Sequence, residues 1–505
     1  MIRHAYYMKL VCIIFLLYVT LSCVIANTIT VTNTIDTGAG SLRDAIANAT
    51  SGDTIRFDAS LDMDTIRLTS GMIILDKNLV IIGNQAGTTV TPVAKSIGAQ
   101  GPPPATIISG NNNSRIFYLK TNITIELSYL SLTGGLIRSG NGGAIFNDNG
   151  IATFTNTTIA GNSANGGGGV DNRGRATFTN TTIAGNNSFN SGGGLVNGGV
   201  ATFTNTTISG NNARGSGGGV TNIGRATFIN TTIAKNNSNR SGGGVKNSNF
   251  VATVTFINTN IAGNSATNTG GGVDNDFGTT AIFTNITIAG NTAQSGGGVD
   301  NGFGATSTFT NTTIAGNTAT NLGGGVFNGL NSTATFTNTI VALNNAYEGP
   351  DINNRRTVRD GGNNLIGDGT GQSSIIDDVN GNIVGIPTNP INPLFIMNVP
   401  AAPSTEGDLR LRCESPAIDA GNNAALLIDN FDVDCDLDIT ELIPSDVLGS
   451  SRIVNETIDI GAHELDLFVE CQEPISIPTL GTWISFCLAL SLVIISIIFL
   501  SLIHI

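Results

Sequence analysis

The sequence predicts an all-β fold, a right-handed parallel β-helix, with an N-terminal cap at one end and a C-terminal transmembrane segment at the other. Three observations predict it. A unit of 24 to 28 residues recurs eight times between Gly142 and Asn344. Each unit divides into three short stretches rich in Thr, Val, Ile and Phe, and Gly or Asn closes every stretch. A repeat of that length marks a solenoid, whose units bury a core only by stacking on their neighbours.

In the first copy Gly142-Gly143-Ala144-Ile145-Phe146-Asn147 is followed by Ala152-Thr153-Phe154-Thr155-Asn156 and Thr157-Thr158-Ile159-Ala160-Gly161-Asn162. The phenylalanine returns at Phe178, Phe203, Phe228, Phe256, Phe283, Phe309 and Phe336, and Asn147 returns at Asn172, Asn197, Asn222, Asn247, Asn275, Asn301 and Asn328. Stretches so short, β-branched and punctuated form strands rather than helices. Three strands make one coil, and parallel stacking gives each backbone N–H and C=O a partner about 4.8 Å away in the next coil. Alternation points Ile145, Phe154 and Ile159 inward with their equivalents, so the core consists of columns of like residues. The turn asparagines stack likewise, because the amide offers donors and an acceptor and tolerates left-handed backbone angles. A leucine-rich horseshoe needs regularly spaced leucines and a propeller about 40 residues per blade; neither pattern is present. Roughly twelve coils at 4.8 Å make a rod about 60 Å long.

Ahead of the clear repeats, weaker strands between Thr28 and Thr133, among them Thr121-Asn122-Ile123-Thr124-Ile125, are expected to form earlier coils. Leu42, Ala45 and Ile46 share one face of a short helix that can shield the open end of the core. Before this cap, Arg3 and Lys9, an apolar run from Leu10 to Leu21 and Val24-Ile25-Ala26 read as a signal peptide over 1–26, cleaved after Ala26. A lipoprotein reading through Cys23 is disfavoured, because Thr20 stands where leucine is usual. At the far end Trp483 to Ile505 is 23 residues without a formal charge, long enough to cross a bilayer core of roughly 30 Å.

Losing the leader removes two cations and no acids, taking the formal charge from −13 to −15. The few Lys and Arg residues are scattered, which argues against nucleic acid as a partner. Of six cysteines, Cys12, Cys23 and Cys487 fall in the leader and tail. Cys413, Cys435 and Cys471 remain, enough for one disulfide, for which Cys413 with Cys435 is the expected pair in an oxidising compartment.

The start, Thr28-Ile29-Thr30-Val31-Thr32-Asn33 with Gly40-Ser41-Leu42-Arg43-Asp44-Ala45-Ile46 and Gly52-Asp53-Thr54-Ile55, resembles the cap of bacterial surface β-helix proteins. The glycine-rich copies resemble polymorphic outer membrane proteins and related adhesin-like β-helices, whose fold is that of a pectate lyase-like solenoid. Fold alone does not choose among their functions. Asn364-Leu365-Ile366-Gly367-Asp368, Asn389-Pro390-Ile391-Asn392-Pro393-Leu394, Ser415-Pro416-Ala417-Ile418-Asp419-Ala420-Gly421 and Asp459-Ile460-Gly461-Ala462-His463-Glu464 together resemble the choice-of-anchor Q domain of exported proteins. The Asn-Gly-Gly and Thr-His elements expected between Leu394 and Ser415 are missing. The sorting motif Ile477, Pro478, Thr479, Leu480 and Trp483 resembles IPTL-CTERM tails, which implies a sorting or processing protease as partner; the basic end usual there is absent. The domains expected are the signal peptide 1–26, the cap and first coils 27–141, the repeats 142–344, a choice-of-anchor Q-like region 345–470, and the sorting motif with its membrane segment 471–505.

No catalytic residue and no organic cofactor is expected. Only His463 of three histidines lies between leader and tail, and no nucleophile is signalled near it, so its expected role is structural. Asp274 and Asp300 occupy matching places in neighbouring copies, near the separation of a retaining carboxylate pair. Their column, Phe146, Asp171, Val196, Thr221, Lys246, Asp274, Asp300 and Phe327, reads as an unconstrained outward position. No Gly-His-Gly or Arg-Ile-Lys signature of the polygalacturonase kind is present. Asp432, Asp434, Asp436 and Asp438 alternate with Glu441 close behind, and hard oxygen ligands suit calcium. The loop falls short of an EF-hand, with Leu437 at the glycine place and Ile443 at the twelfth. The many Asn-Thr-Thr sequons belong to the strand and turn pattern rather than to glycosylation. The sequence thus favours an exported, adhesin-like or structural surface protein that binds glycans or surface partners without catalysis. The rival is a secreted polysaccharide lyase or glycoside hydrolase.

Overall fold

The computed structural model describes residues 26–85, 106–398, 407–434, 436, 438–454 and 456–466. The leader up to residue 25, Cys435, Cys471, the sorting motif Ile477, Pro478, Thr479, Leu480 and Trp483, and the apolar tail lie outside the described residues. Among the described residues no helix is long and apolar enough to cross a membrane. The chain divides into two compact units, Met1–Glu464 and Leu465–Ile505, and every strand and helix named below belongs to the first.

That unit is an all-β parallel solenoid of the right-handed type with about twelve turns. The phenylalanine-bearing strands, from Thr28–Val31 through Ile151–Thr155 to Thr357–Asp360, form one sheet, and the strands typified by Thr158–Ala160 form a second. The strands typified by Ile145–Asn147 form a third. Register is residue on residue: Phe154 pairs with Phe178, Ile159 with Ile183 and Asn147 with Asn172. Inward Ile145, Phe154 and Ile159 are wholly buried, as alternation predicts. The earlier coils also form, and Ile125 and Leu127 sit under Ala152 and Phe154.

The repeats contain four strands per coil, not three. Ser163–Gly166, Asn187–Ser188 and their equivalents up to Thr318–Leu322 form a fourth, short parallel sheet just before each glycine stretch. Its members are too brief and too polar for a hydrophobic period to betray them, and pairing with the next coil alone makes them strands. The stacking also runs past Asn344, through Thr357–Asp360 and Leu365–Ile366 to Ile383–Val384.

The helix Leu42–Asn48 covers the open first coil with Leu42, Ala45 and Ile46, and the Ser41 side chain accepts from the Asp44 N–H at its start. At the other end, the described residues between 407 and 464 fold back along the outside of the coils. The two motifs that flank this return segment pair: Ile460 N–H donates to Ala417 O at 2.9 Å, and Gly421 N–H to Ile458 O at 2.9 Å. Asn230, Asn285 and Asn338 stand in one bend column and donate from Nδ2 to Val433 O (2.9 Å), Ser445 O (2.6 Å) and Asn422 O (3.1 Å). Ile229 and Ile257 pack with Val433 and Ile443 as an apolar anchor. Phe395–Met397 and Asp408–Leu411 form a small antiparallel ribbon in the stretch where two motif elements are missing.

Candidate functional site

The column headed by Phe146 is not an unconstrained surface position. Phe146, Asp171, Thr221, Lys246, Asp274 and Asp300 are all buried. They point outward from the third sheet, into the angle it makes with residues just ahead of each glycine stretch. Those residues reach over the column: Thr221 Oγ1 donates to Ser216 O at 2.9 Å, and the Thr269 hydroxyl hydrogen-bonds Asp274 Oδ2. Close approach explains a glycine at this point: Gly270 has φ +63°, and a Cβ on it would lie 2.5 Å from that of Asp274. The sequence shows the column but not the angle that covers it.

Asp274 and Asp300 are paired across neighbouring strands, as the repeat predicts, and Lys246 stands one coil earlier. Lys246 Nζ lies 2.7 Å from Asp274 Oδ1 and 3.4 Å from Asp276 Oδ2. Burial works against the Lys246 charge, and Asp274 and Asp276 more than restore it, leaving its pKa raised. Burial raises Asp274, with Lys246 pulling the other way. Asp300 is pushed well above the carboxylate range, by burial first and by Asp274 next. Its Oδ2 is buried without a hydrogen-bond partner. Asp274 is 1% exposed and Asp300 4%, so no sugar ring can pass between them.

Nearer the cap the same column is open at its edge. Tyr118 and Phe146 stack with centroids 5.4 Å apart, and the guanidiniums of Arg115 and Arg173 lie 5.0 and 4.5 Å from the Phe146 centroid. Tyr118 donates to Asp148 Oδ2 at 2.8 Å. Arg115 also borders a lateral groove of about 530 Å³ lined by Gly71, Met72, Asn112, Asn113, Ser114, Leu136, Ile137 and Arg138. Among the described residues, no carboxylate, imidazole or thiol is in that lining. Sequence reasoning missed this group, because Arg115 and Met72 belong to coils whose register the sequence left open.

At the tip of the return segment the structure brings together Asp432, Asp434 and Asp436, and separately Asp429, Asp434 and Glu441, each set with ligand atoms within 4.8 Å. The fourth predicted ligand, Asp438, turns away and accepts from Thr440 N and Oγ1, bonds that hold its pKa down. Burial, then Asp436, Asp434, Asp438 and Asp429, raise Glu441, whose Oε1 is buried with no hydrogen-bond partner among the described residues. Asp429 was missed because it lies three residues before the alternating run and joins it only through the turn. Five carboxylates there are a donor set of the kind calcium takes.

His463 is buried, and burial lowers its pKa to about 4, so it is a neutral core side chain. Beside it Arg452 donates to Gly461 O at 2.6 Å and faces Glu464 at 3.6 Å. Cys413 is disulfide-bonded, with its partner outside the described residues.

No family model matches the chain, and no curated protein matches it. Among solved structures it is similar to pectate lyase Pel9A, at 14% identity and TM-score 0.44, over 87% of this chain and 96% of that one. It is also similar to XylC in complex with xylose, at 11% identity and TM-score 0.39, over 87% and 98%. The A-module of Azotobacter vinelandii mannuronan C-5 epimerase AlgE4 shares 12% identity at TM-score 0.33, over 66% and 89%. None of these likenesses decides the chemistry of this chain, which rests on the residues themselves.

Proposed function

We propose that this chain is an exported cell-surface β-helix that binds glycans or other surface partners along its flank without acting on them chemically. One observation carries the reading: among the described residues, the open groove from Met72 to Arg138 offers apolar floor, amides and guanidiniums but no general acid or base. Such a lining orients a hydroxylated ligand and leaves its bonds alone. The close carboxyl pair that would serve a glycosidase is sealed. Purified protein passed over a panel of acidic and neutral polysaccharides is expected to be retained without cleavage. Arg138→Ala together with Met72→Ala is expected to weaken retention about tenfold, a loss of roughly 1.4 kcal/mol. Release of unsaturated or reducing ends would overturn the reading in favour of a polysaccharide lyase or glycoside hydrolase.

The ends complete the proposal. Cleavage after Ala26, a family relation to choice-of-anchor Q proteins, and recognition of Ile477, Pro478, Thr479, Leu480 and Trp483 by a processing protease would deliver the chain to the envelope through its apolar tail. Cell fractionation with sequencing of the final C-terminus tests this, and an intact tail in the inner membrane defeats the sorting step. The acidic loop is read as a calcium site of Asp429, Asp432, Asp434, Asp436 and Glu441. Calorimetric titration with calcium is expected to show one binding event that Glu441→Gln weakens; absence of heat and of thermal stabilisation would end that reading.

A further inference from the structure

We infer that Lys246 and Asp274 become joined in the folded protein by an intramolecular amide bond, formed by condensation of Lys246 Nζ with the Asp274 carboxyl. The placement is that of reactants rather than of a surface ion pair. Nζ lies 2.7 Å from Oδ1, which puts the carboxyl carbon within about 3.5 Å, the separation of a near-attack pair. Both side chains are sealed by the angle between the sheets, with Lys246 8% and Asp274 1% exposed. The Phe277 ring lies 5.8 Å from Nζ, and Phe327 occupies the rung after Asp300. Asp274 Oδ2 is hydrogen-bonded by the Thr269 hydroxyl, a donor aimed where negative charge develops on attack. On the next rung Asp300 presents a buried oxygen with no partner, which a purely structural ion pair leaves unexplained.

The step balances without any co-reactant. Lys246 passes one proton across the 2.7 Å contact to Asp274 Oδ1, giving the amine and the carboxylic acid that react. The nitrogen attacks Cγ. A proton passes from nitrogen to Oδ1 by way of the carboxyl of Asp300, which is paired with Asp274 on the next strand, and Oδ1 leaves as water. One C–N bond forms and one C–O bond breaks. Positioning is worth an effective concentration of roughly 10⁵–10⁸ M, which stands in for chemical activation of the acid. The product ties one coil to the next at the kind of interface whose opening lets a solenoid unzip.

The full chain tests this directly. The reduced intact mass is expected to fall short of the sequence mass by one water. An acylated Lys246 resists trypsin, and because neither Lys nor Arg occurs between it and Arg355, residues 241–355 should emerge uncut. Chymotryptic cleavage at Phe250 or Phe256 should then release two peptides linked through Lys246 and Asp274. Lys246→Arg and Asp300→Asn, each checked for a β-type circular dichroism spectrum, should regain the missing water. Wild-type protein of full mass, cut after Lys246, would overturn the bond without any variant. A dehydrated Asp300→Asn protein would overturn the role given to Asp300.

Discussion

Asn222 accepts at Oδ1 from Asn197 Nδ2 and donates to Asn247 Oδ1, each at 2.8 Å, and it is wholly buried. Asn222→Ala therefore strands the Oδ1 of Asn247, at about 1–3 kcal/mol for the unpaired group, while Asn197 Nδ2 keeps Gly199 O and Arg225 O. Asn237→Ala, which removes only an exposed 3.0 Å bond, should stay within about 0.5 kcal/mol. Urea unfolding of the two variants checks the contrast. A second amide column, Asn162 to Asn344, ends on Asp351, which accepts from Asn344 Nδ2 at 2.8 Å. Burial raises Asp351 to about 7 from 3.8, against its hydrogen bonds from Asn344 and Asp368. Between those values the native state holds a proton that the unfolded chain has lost, so this group takes away up to about 4 kcal/mol as pH rises through the window. His463, lowered to about 4 from 6.5, acts oppositely: the unfolded chain holds the extra proton, and stability rises with pH by up to about 3 kcal/mol. Asp351→Asn should consequently grow more stable relative to the parent from pH 4.5 to 6.5, and His463→Gln less stable, by urea midpoints across that range.

One coil touches only its neighbours, so whole coils should be removable where nothing spans them. Deleting residues 173–197 joins Asn172 to Gly198 and preserves the turn. That coil lies outside the anchored stretch from Asn230 to Asn338. The shortened protein should keep its β-type circular dichroism spectrum and melt within about 4 °C of the parent, a shift that corresponds to roughly 1 kcal/mol. Deleting 231–258 instead brings Asn230 one coil nearer Asn285 and mismatches Val433 and Ser445, so its transition should fall much further. The coil itself was legible in the sequence, because Phe154, Ile159 and Asn147 repeat with constant order. What stayed hidden depends on elements meeting at angles. The fourth strand carries no apolar period, and Asp274 looks the same in sequence whether Thr269 covers it or not. Asp432, Asp434 and Asp436 were readable as a run, whereas Asp429 and the turned-away Asp438 are decided by the path of the turn.

At the scale of the molecule, a solenoid whose first coil is covered still has long flanks, and the return segment covers part of one. Its position is written in two exceptions to the repeat. The column of Thr155, Thr179 and Thr204 changes to Ile229 and Ile257, then resumes as Thr284, Thr310 and Thr337. Those two isoleucines are the ones that meet Val433 and Ile443. Elsewhere in the column threonine serves the same strand position, so isoleucine is there for the segment and not for the coil. Burying each side chain contributes about 1.5–3 kcal/mol, enough together to decide whether the tip of the segment lies down or lifts. Ile229→Thr with Ile257→Thr restores the repeat and leaves the inward Phe228 and Phe256 untouched. Hydrogen exchange should then quicken across 423–451, while amides of the phenylalanine sheet keep their protection. Loss of protection in both at once would mean that the segment and the coils fold as one unit, and that the isoleucines hold the rod rather than the strap.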